Sequence, residues 1–349
     1  MSCARPLGRW RNLRGILTLA SVLSPTSVVP HKEVPPGGVV QILERDVAQV
    51  NQSVRGLEGA GFPVRRAFAG LDLRLTDPFL MLDHLGAVDY APGEAKGAPD
   101  HPHRGFETVT YLLSGEFEHR DSTGGGGLLR PGDTQWMTAG AGIVHSEMPT
   151  NALLDNGGVL HGTQLWVNLP AAQKWTPPVY QDLSGTAFGQ WSSPDGGTVR
   201  VVAGSNNAVN GPGSTFTPIT YLHLSVPPGG RVQLPWTPEF NALIYVLEGE
   251  GTVGASRVAL SAGQTAVMTA ASPGGVDTIT VHAGASAESS TGQMEALVLG
   301  GVPIREQIAW YGPFVMNTRE EIEQAVTDYQ RGAMGVIPPK HADGESTGS

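Results

Sequence analysis

Two stretches 134 residues apart repeat one grammar: "TYLLSGEFEHRD" at 110–121 is echoed by "IYVLEGEGTVGA" at 244–255. Likewise, "LLRPGDTQWMTA" at 128–139 is echoed by "ALSAGQTAVMTA" at 259–270. In each copy a strand-like run ends in a glycine turn, and a second run follows through another glycine turn. A chain built this way is a tandem duplication of one strand-rich unit. Glycine and proline make up about a fifth of the 349 residues and act as dispersed turn punctuation, which favours many short strands over long helices. The expected fold is therefore all-β, with a first unit over 46–183 and a second over 184–300. An extension over 1–45 is expected to be disordered, and a helix and tail over 301–349 follow the second unit. Residues 171–200, rich in Pro, Gly and Ser, read as the connection. In "MNTREEIEQAVTDYQRG", Thr318 and Glu321 have capping-box spacing. Ile322, Ala325, Val326 and Tyr329 share one helical face, and Gly332 stops the helix, which is expected to pack back on one of the units.

Charge and cysteine content narrow the function. With 32 acidic residues against 22 basic ones and no basic run beyond the amino terminus, the sequence does not support binding to nucleic acid. Cys3 is the only cysteine, so neither an intrachain disulfide nor a thiolate metal site is available. No apolar run reaches the ~18 residues that span a bilayer, so no membrane association is expected. The first 32 residues carry Arg5, Arg9, Arg11 and Arg14 ahead of "GILTLASVL". An export signal is one reading of this segment; the reading adopted is a cytoplasmic protein with an amino-terminal extension.

The chemistry concentrates in the first unit. His101 and His103, in "DHPHRGFETVTY", stand two apart in an extended segment, so both imidazoles project from one face. His145 and Glu147, in "IVHSEMP", repeat that spacing on a second strand. Three imidazoles and a carboxylate suit a divalent first-row metal such as iron, manganese, nickel or copper. Such a set leaves one or two coordination positions open for substrate. Glu107 competes with Glu147 for the fourth place, or supports a ligand by hydrogen bonding. Aligning the two units through their glycines and methionines sets Pro235 and Thr237 against His101 and His103. The same alignment sets Val276 and Thr278 against His145 and Glu147, so only the first unit is equipped for a metal. The remaining histidines, His31, His84, His119, His161, His223, His282 and His341, read as surface or hydrogen-bonded core residues. Arg104 and Arg130 read as solvated charges. Phe79, Phe106, Tyr111, Trp136, Met137 and Trp166 read as packing rather than as a substrate box.

Together "DPFLMLD", "DHPHRGFETVTY", "RPGDTQWMTAGAGIVHSEMP", "QLWVNLP" and "YGPFVMNTREEI" resemble the pirin family of the cupin superfamily. The resemblance is specific from about Val64 to Leu183 and looser over 188–300. It implies two jelly-roll-like cupin β-barrels in tandem, with an iron-type metal in the first alone, held by His101, His103, His145 and Glu147. It further implies either a quercetin 2,3-dioxygenase that opens a flavonol with O2, with Glu147 as the base, or a redox-sensing protein that regulates a transcription factor or metabolic enzyme. A metal-dependent isomerase or hydrolase is a third activity that cupins support.

Overall fold

The computed structural model describes residues 41–271, 276–286 and 288–338; the arginine-bearing amino-terminal segment, with Cys3 and His31, and the tail with His341 lie outside them. In chain order the strands of the first half are β1 (Ile42–Glu44), β2 (Val47–Gln52), β3 (Val54–Glu58), β4 (Phe62–Arg66), β5 (Phe79–Tyr90), β6 (Ala98–His103), β7 (Phe106–Ser114), β8 (Phe117–Asp121), β9 (Gly126–Leu129), β10 (Thr134–Thr138), β11 (Ile143–Pro149), β12 (Gly158–Asn168) and β13 (Val179–Leu183). Those of the second half are β14 (Gly189–Ser192), β15 (Thr198–Ala203), β16 (Ser205–Asn206), β17 (Val209–Asn210), β18 (Ile219–Val226), β19 (Arg231–Trp236), β20 (Leu243–Glu248), β21 (Glu250–Val253), β22 (Val258–Ser261), β23 (Gln264–Met268), β24 (Val276–Ala283) and β25 (Met294–Gly301). A hairpin, β26 (Ala309–Tyr311) and β27 (Phe314–Met316), leads into a helix at Arg319–Gln330.

The duplication is visible strand by strand. A seven-stranded sheet in the order β13-β10-β7-β12-β5-β4-β3 has its twin in β2-β23-β20-β25-β18-β15-β14. The four-stranded β6-β11-β8-β9 has its twin in β19, β24, β21 and β22, to which β1 is added. Each half is a cupin sandwich of two sheets, the jelly-roll-like arrangement that the resemblance implies. Where the chain passes from β6 to β7 it turns through Gly105 at φ +88°, leaving one sheet for the other. β1 and β2, although first in the chain, bond to β24 and β23 of the second half. Within the expected connection, β13 and β14 each add an edge strand, to the first and second half respectively.

The two seven-stranded sheets pack against each other through Val109, Tyr111, Leu165, Tyr221, Leu243 and Leu299. This explains why "FETVTYL" of β7 is buried throughout: one face meets the other half and the opposite face lines the first sandwich. The helix at Arg319–Gln330 is capped by Thr318 and Glu321 as its spacing implies, and Gly332 follows its end at φ +74°. Ile322 and Ala325 pack on Val144 and Phe314, so the helix covers the first half. Tyr329 stays outside that contact and is exposed.

Candidate metal centre

Because β6 is extended, His101 and His103 face the same way, and the antiparallel pairing of β6 with β11 sets His145 opposite His101. The ring centroids of His101 and His145 are 4.3 Å apart and those of His103 and His145 are 5.0 Å apart. One ring nitrogen from each of the three can be chosen so that all lie within 4.8 Å of one another, a grouping able to hold a metal ion. Nδ1 of His101 donates to the carbonyl of Pro99 at 2.7 Å, which leaves Nε2 as its lone-pair nitrogen. Both ring nitrogens of His103 and of His145 are buried and have no hydrogen-bond partner. Burial, and then the neighbouring imidazoles, hold both rings well below the ordinary histidine pKa, so they are neutral. Neutral imidazoles with buried, unpartnered nitrogens are costly by themselves and are what a divalent cation requires.

Glu147 lines the same cavity, but its carboxylate stands outside the three-histidine group. The β6–β11 register shifts between His145 and Glu147. The carboxylate accepts from the Thr110 hydroxyl at 2.9 Å and from the Gln164 amide at 2.9 and 3.1 Å. Trp166 Nε1 donates to Gln164 Oε1 at 3.1 Å, which fixes the amide with its NH2 toward Glu147.

Glu107, expected to compete for the fourth place or to support a ligand, lies on the face of β7 turned away from the histidines. It pairs with Thr138 and Val167 in the seven-stranded sheet and shares the β7 face of Val109 and Tyr111, opposite to Thr110. Its Oε1 accepts from Thr138 at 2.7 Å, while its Oε2 is buried without a partner. Burial, opposed by that hydrogen bond, pushes its pKa up to about 7.

A cavity of about 730 Å³ opens beside His101 and His103. Its wall is largely apolar, with Phe62, Leu112, Phe117, Leu160, Trp166 and Trp310. Four carboxylates, Glu58, Asp83, Asp100 and Glu147, line it against one cation, Arg66. That guanidinium is engaged by Asp83 at 2.8 and 2.9 Å and by Glu58. Trp166, read from the sequence as packing, does pack on Phe106 at 4.2 Å and is also cavity wall. Arg104, read as solvated, is buried: it bonds Asp328 at 2.8 Å and lies over Trp175 at 5.0 Å. Arg130 is exposed as expected. His84, His161 and His223 are hydrogen-bonded core residues as read, whereas His119 is buried with neither ring nitrogen hydrogen-bonded.

Thr110, Gln164 and Trp310 were not among the sequence candidates. The internal echo carries a signal for the first two: Thr110 pairs with Gln164 at the register where Ile244 pairs with Val298 in the twin, so two polar residues stand where the repeat has aliphatic ones. Among the described residues, the second half has no comparable cluster of metal-ligating groups. There the register sets Pro235 opposite Thr278, two residues beyond the Val276 given by sequence alignment, because the connection from β23 to β24 is longer than that from β10 to β11.

Comparison with known proteins agrees with this architecture. The pirin family profile matches residues 61–167, and the profile of the pirin C-terminal cupin domain matches 221–335. A pirin-like protein of Arabidopsis thaliana is 40% identical over 287 residues, covering 81% of this chain and 88% of the relative. A pirin-like protein of Solanum lycopersicum is 40% identical over 278 residues, covering 80% and 89%. The crystal structure of quercetin 2,3-dioxygenase from Acinetobacter baumannii superposes with a TM-score of 0.76 at 35% identity, covering 85% of this chain and all of that one. With two family profiles in tandem and relatives alike over most of its length, the chain belongs to the pirin family.

Proposed function

We propose that this protein is a metal-dependent dioxygenase that cleaves a flavonol of the quercetin type with O2. His101, His103 and His145 hold the metal, iron in preference to manganese, nickel, copper or zinc, and Glu147 is the carboxylate donor beside them. The observation that carries this reading is the pairing of unpartnered neutral imidazoles with an apolar, aromatic-walled cavity sized for a small planar molecule. When bound, the metal supplies Lewis acidity toward the flavonol 3-hydroxyl and, for iron, one-electron chemistry with O2. Glu147 takes the hydroxyl proton, its carboxylate held in place by Thr110 and Gln164. The aromatic wall orients the substrate and excludes water. The flavonol and O2 together become the ring-opened ester and carbon monoxide, which balances every atom.

The cavity's charge separates this reading from a sugar-phosphate isomerase or hydrolase. Four carboxylates line the cavity with one guanidinium that two of them already occupy, so among the described residues a dianionic phosphate finds no free cation there apart from the metal. A neutral polyphenol meets apolar walls and acceptors for its hydroxyls.

Elemental analysis of protein purified without added metal, paired with an oxygen electrode, tests the proposal. Metal near one equivalent with quercetin-dependent O2 uptake is the expected result. Full metal occupancy with no O2 uptake on any polyphenol overturns the dioxygenase and leaves the redox-regulator reading in its place.

A further inference from the structure

We propose that Trp310, carried on the hairpin that follows the second cupin unit, is the stacking platform by which the first unit's cavity selects planar aromatic ligands; this rests on the polyphenol reading above. Trp310 lines the cavity yet is 39% exposed and belongs to none of the apolar core clusters. Its indole Nε1 is used locally, donating to the Gly312 carbonyl at 2.9 Å, so the ring edge is satisfied and the faces remain for contact. The ring lies 5.8 Å from Trp166 with an interplanar angle of 31°. Trp166 in turn meets His103 edge-on at 5.2 Å. The two indoles thus form an aromatic ramp from the histidine group toward the solvent.

The hairpin is fixed to the site rather than draped over it. Val315 N donates to the Arg104 carbonyl at 3.0 Å, and Arg104 N donates to the Pro313 carbonyl at 3.3 Å. The buried Lys174 ammonium ties the Val315 carbonyl, at 2.9 Å, to Gly105 and Asn168. A Cβ on Gly105 would stand 2.0 Å from the Val315 oxygen, so the backbone after His103 meets the hairpin without a side chain between them. A large apolar ring half-exposed on a rigid support beside an aromatic-walled cavity is an anchor waiting for a flat partner.

The test is calorimetric titration of the metal-loaded full-length protein under argon, where binding is read without turnover. Quercetin is compared with taxifolin, which carries the same hydroxyls on a saturated, non-planar ring. Trp310→Ala is expected to weaken quercetin about tenfold, equivalent to about 1.4 kcal/mol, and taxifolin less than threefold; Trp310→Phe keeps quercetin within about threefold. All three proteins should hold the same metal content. Equal losses for the two ligands, or a Trp310→Ala variant that binds quercetin like the wild type, overturn the stacking role while leaving the polyphenol reading intact. A wild-type protein that binds neither ligand overturns both.

Discussion

The two halves share a sheet plan, and the same strand pair is put to opposite uses in each. In the first, β6 and β11 bring His101, His103 and His145 together, the first two at the wall of a cavity. In the second, the corresponding β19 and β24 present Pro235, Trp236, Asp277 and Thr278, and Arg45 comes in from the chain after β1 to bond Asp277 at 2.8 Å. The guanidinium is buried and also donates to the carbonyls of Thr237, Pro238 and Phe240. Behind it the sandwich is filled by aliphatic side chains such as Leu222, Leu234, Ile244 and Val298. One unit is thus solid and held at this end by an internal ion pair, and the other keeps a largely apolar hollow beside its histidines. The two halves are joined by the apolar contact between their large sheets.

The widest difference should appear in metal content. His103→Ala removes one of three imidazoles and leaves its neighbours an incomplete set, so bound metal should fall below about a tenth of the wild-type level, with O2 uptake falling to background. Elemental analysis reads the first and an oxygen electrode the second. Arg45→Ala, at the matching end of the other half, should leave metal content unchanged. Should Arg45→Ala strip the metal as well, the two sites are not independent and the contrast between the halves fails.

Arg45→Ala should instead cost stability, by about 3–5 kcal/mol, because it leaves Asp277 buried without its counter-charge. Denaturant unfolding measures this directly. A loss below about 1 kcal/mol would mean that the ion pair is not what closes the solid half.

A smaller effect separates the halves by pH. The register that places Glu107 next to Val167 in the first half places Asn241 next to Gly301 in the second, so a titratable group faces a neutral one. Burial raises the Glu107 pKa to about 7 from an ordinary 4.5. Between those values the unfolded chain releases a proton that the fold retains, so stability is lost as pH rises and stays lost above 7. The full effect is about 3 kcal/mol at 1.36 kcal/mol per unit. Glu107→Gln should therefore be more stable than the wild type at pH 8, with the gain fading toward pH 4.5. Unfolding curves at the two pH values check the sign, and a gain that is equal at both rules out titration of Glu107 as the cause.

Which of these features could be read from the sequence follows from how far parity can be carried. That His101 and His103 face the same way is legible because two-residue spacing within one strand fixes a shared direction, whereas the same spacing between His145 and Glu147 spans a register shift that the sequence does not announce. The direction of Glu107 does not follow from that of His103, because Gly105 lies between them, where the chain changes sheets and the alternation restarts. Thr110 and Gln164 were within reach, since the internal repeat shows aliphatic residues in their places. Arg45 and Trp310 were not: each meets its site through a pairing of remote segments, β1 alongside β24 and the hairpin against Arg104, that no local pattern announces.

The least costly change addresses the one large element that the halves do not share. The helix at Arg319–Gln330 covers the first half alone, and its Asp328 holds Arg104, the residue after His103. Its amino terminus depends on Thr318, whose hydroxyl accepts from Glu321 N at 3.2 Å while the Glu321 carboxylate accepts from Thr318 N at 3.0 Å. Thr318→Ala should cost about 1 kcal/mol, seen as a small shift in the denaturant midpoint with no change in slope. Metal content should stay at the wild-type level, because the hairpin between helix and site is independently pinned by Lys174 and the backbone of Arg104. If metal is lost along with that kilocalorie, the helix cap is part of what orders the histidines, and the hollow half owes its site to the tail as much as to its own strands.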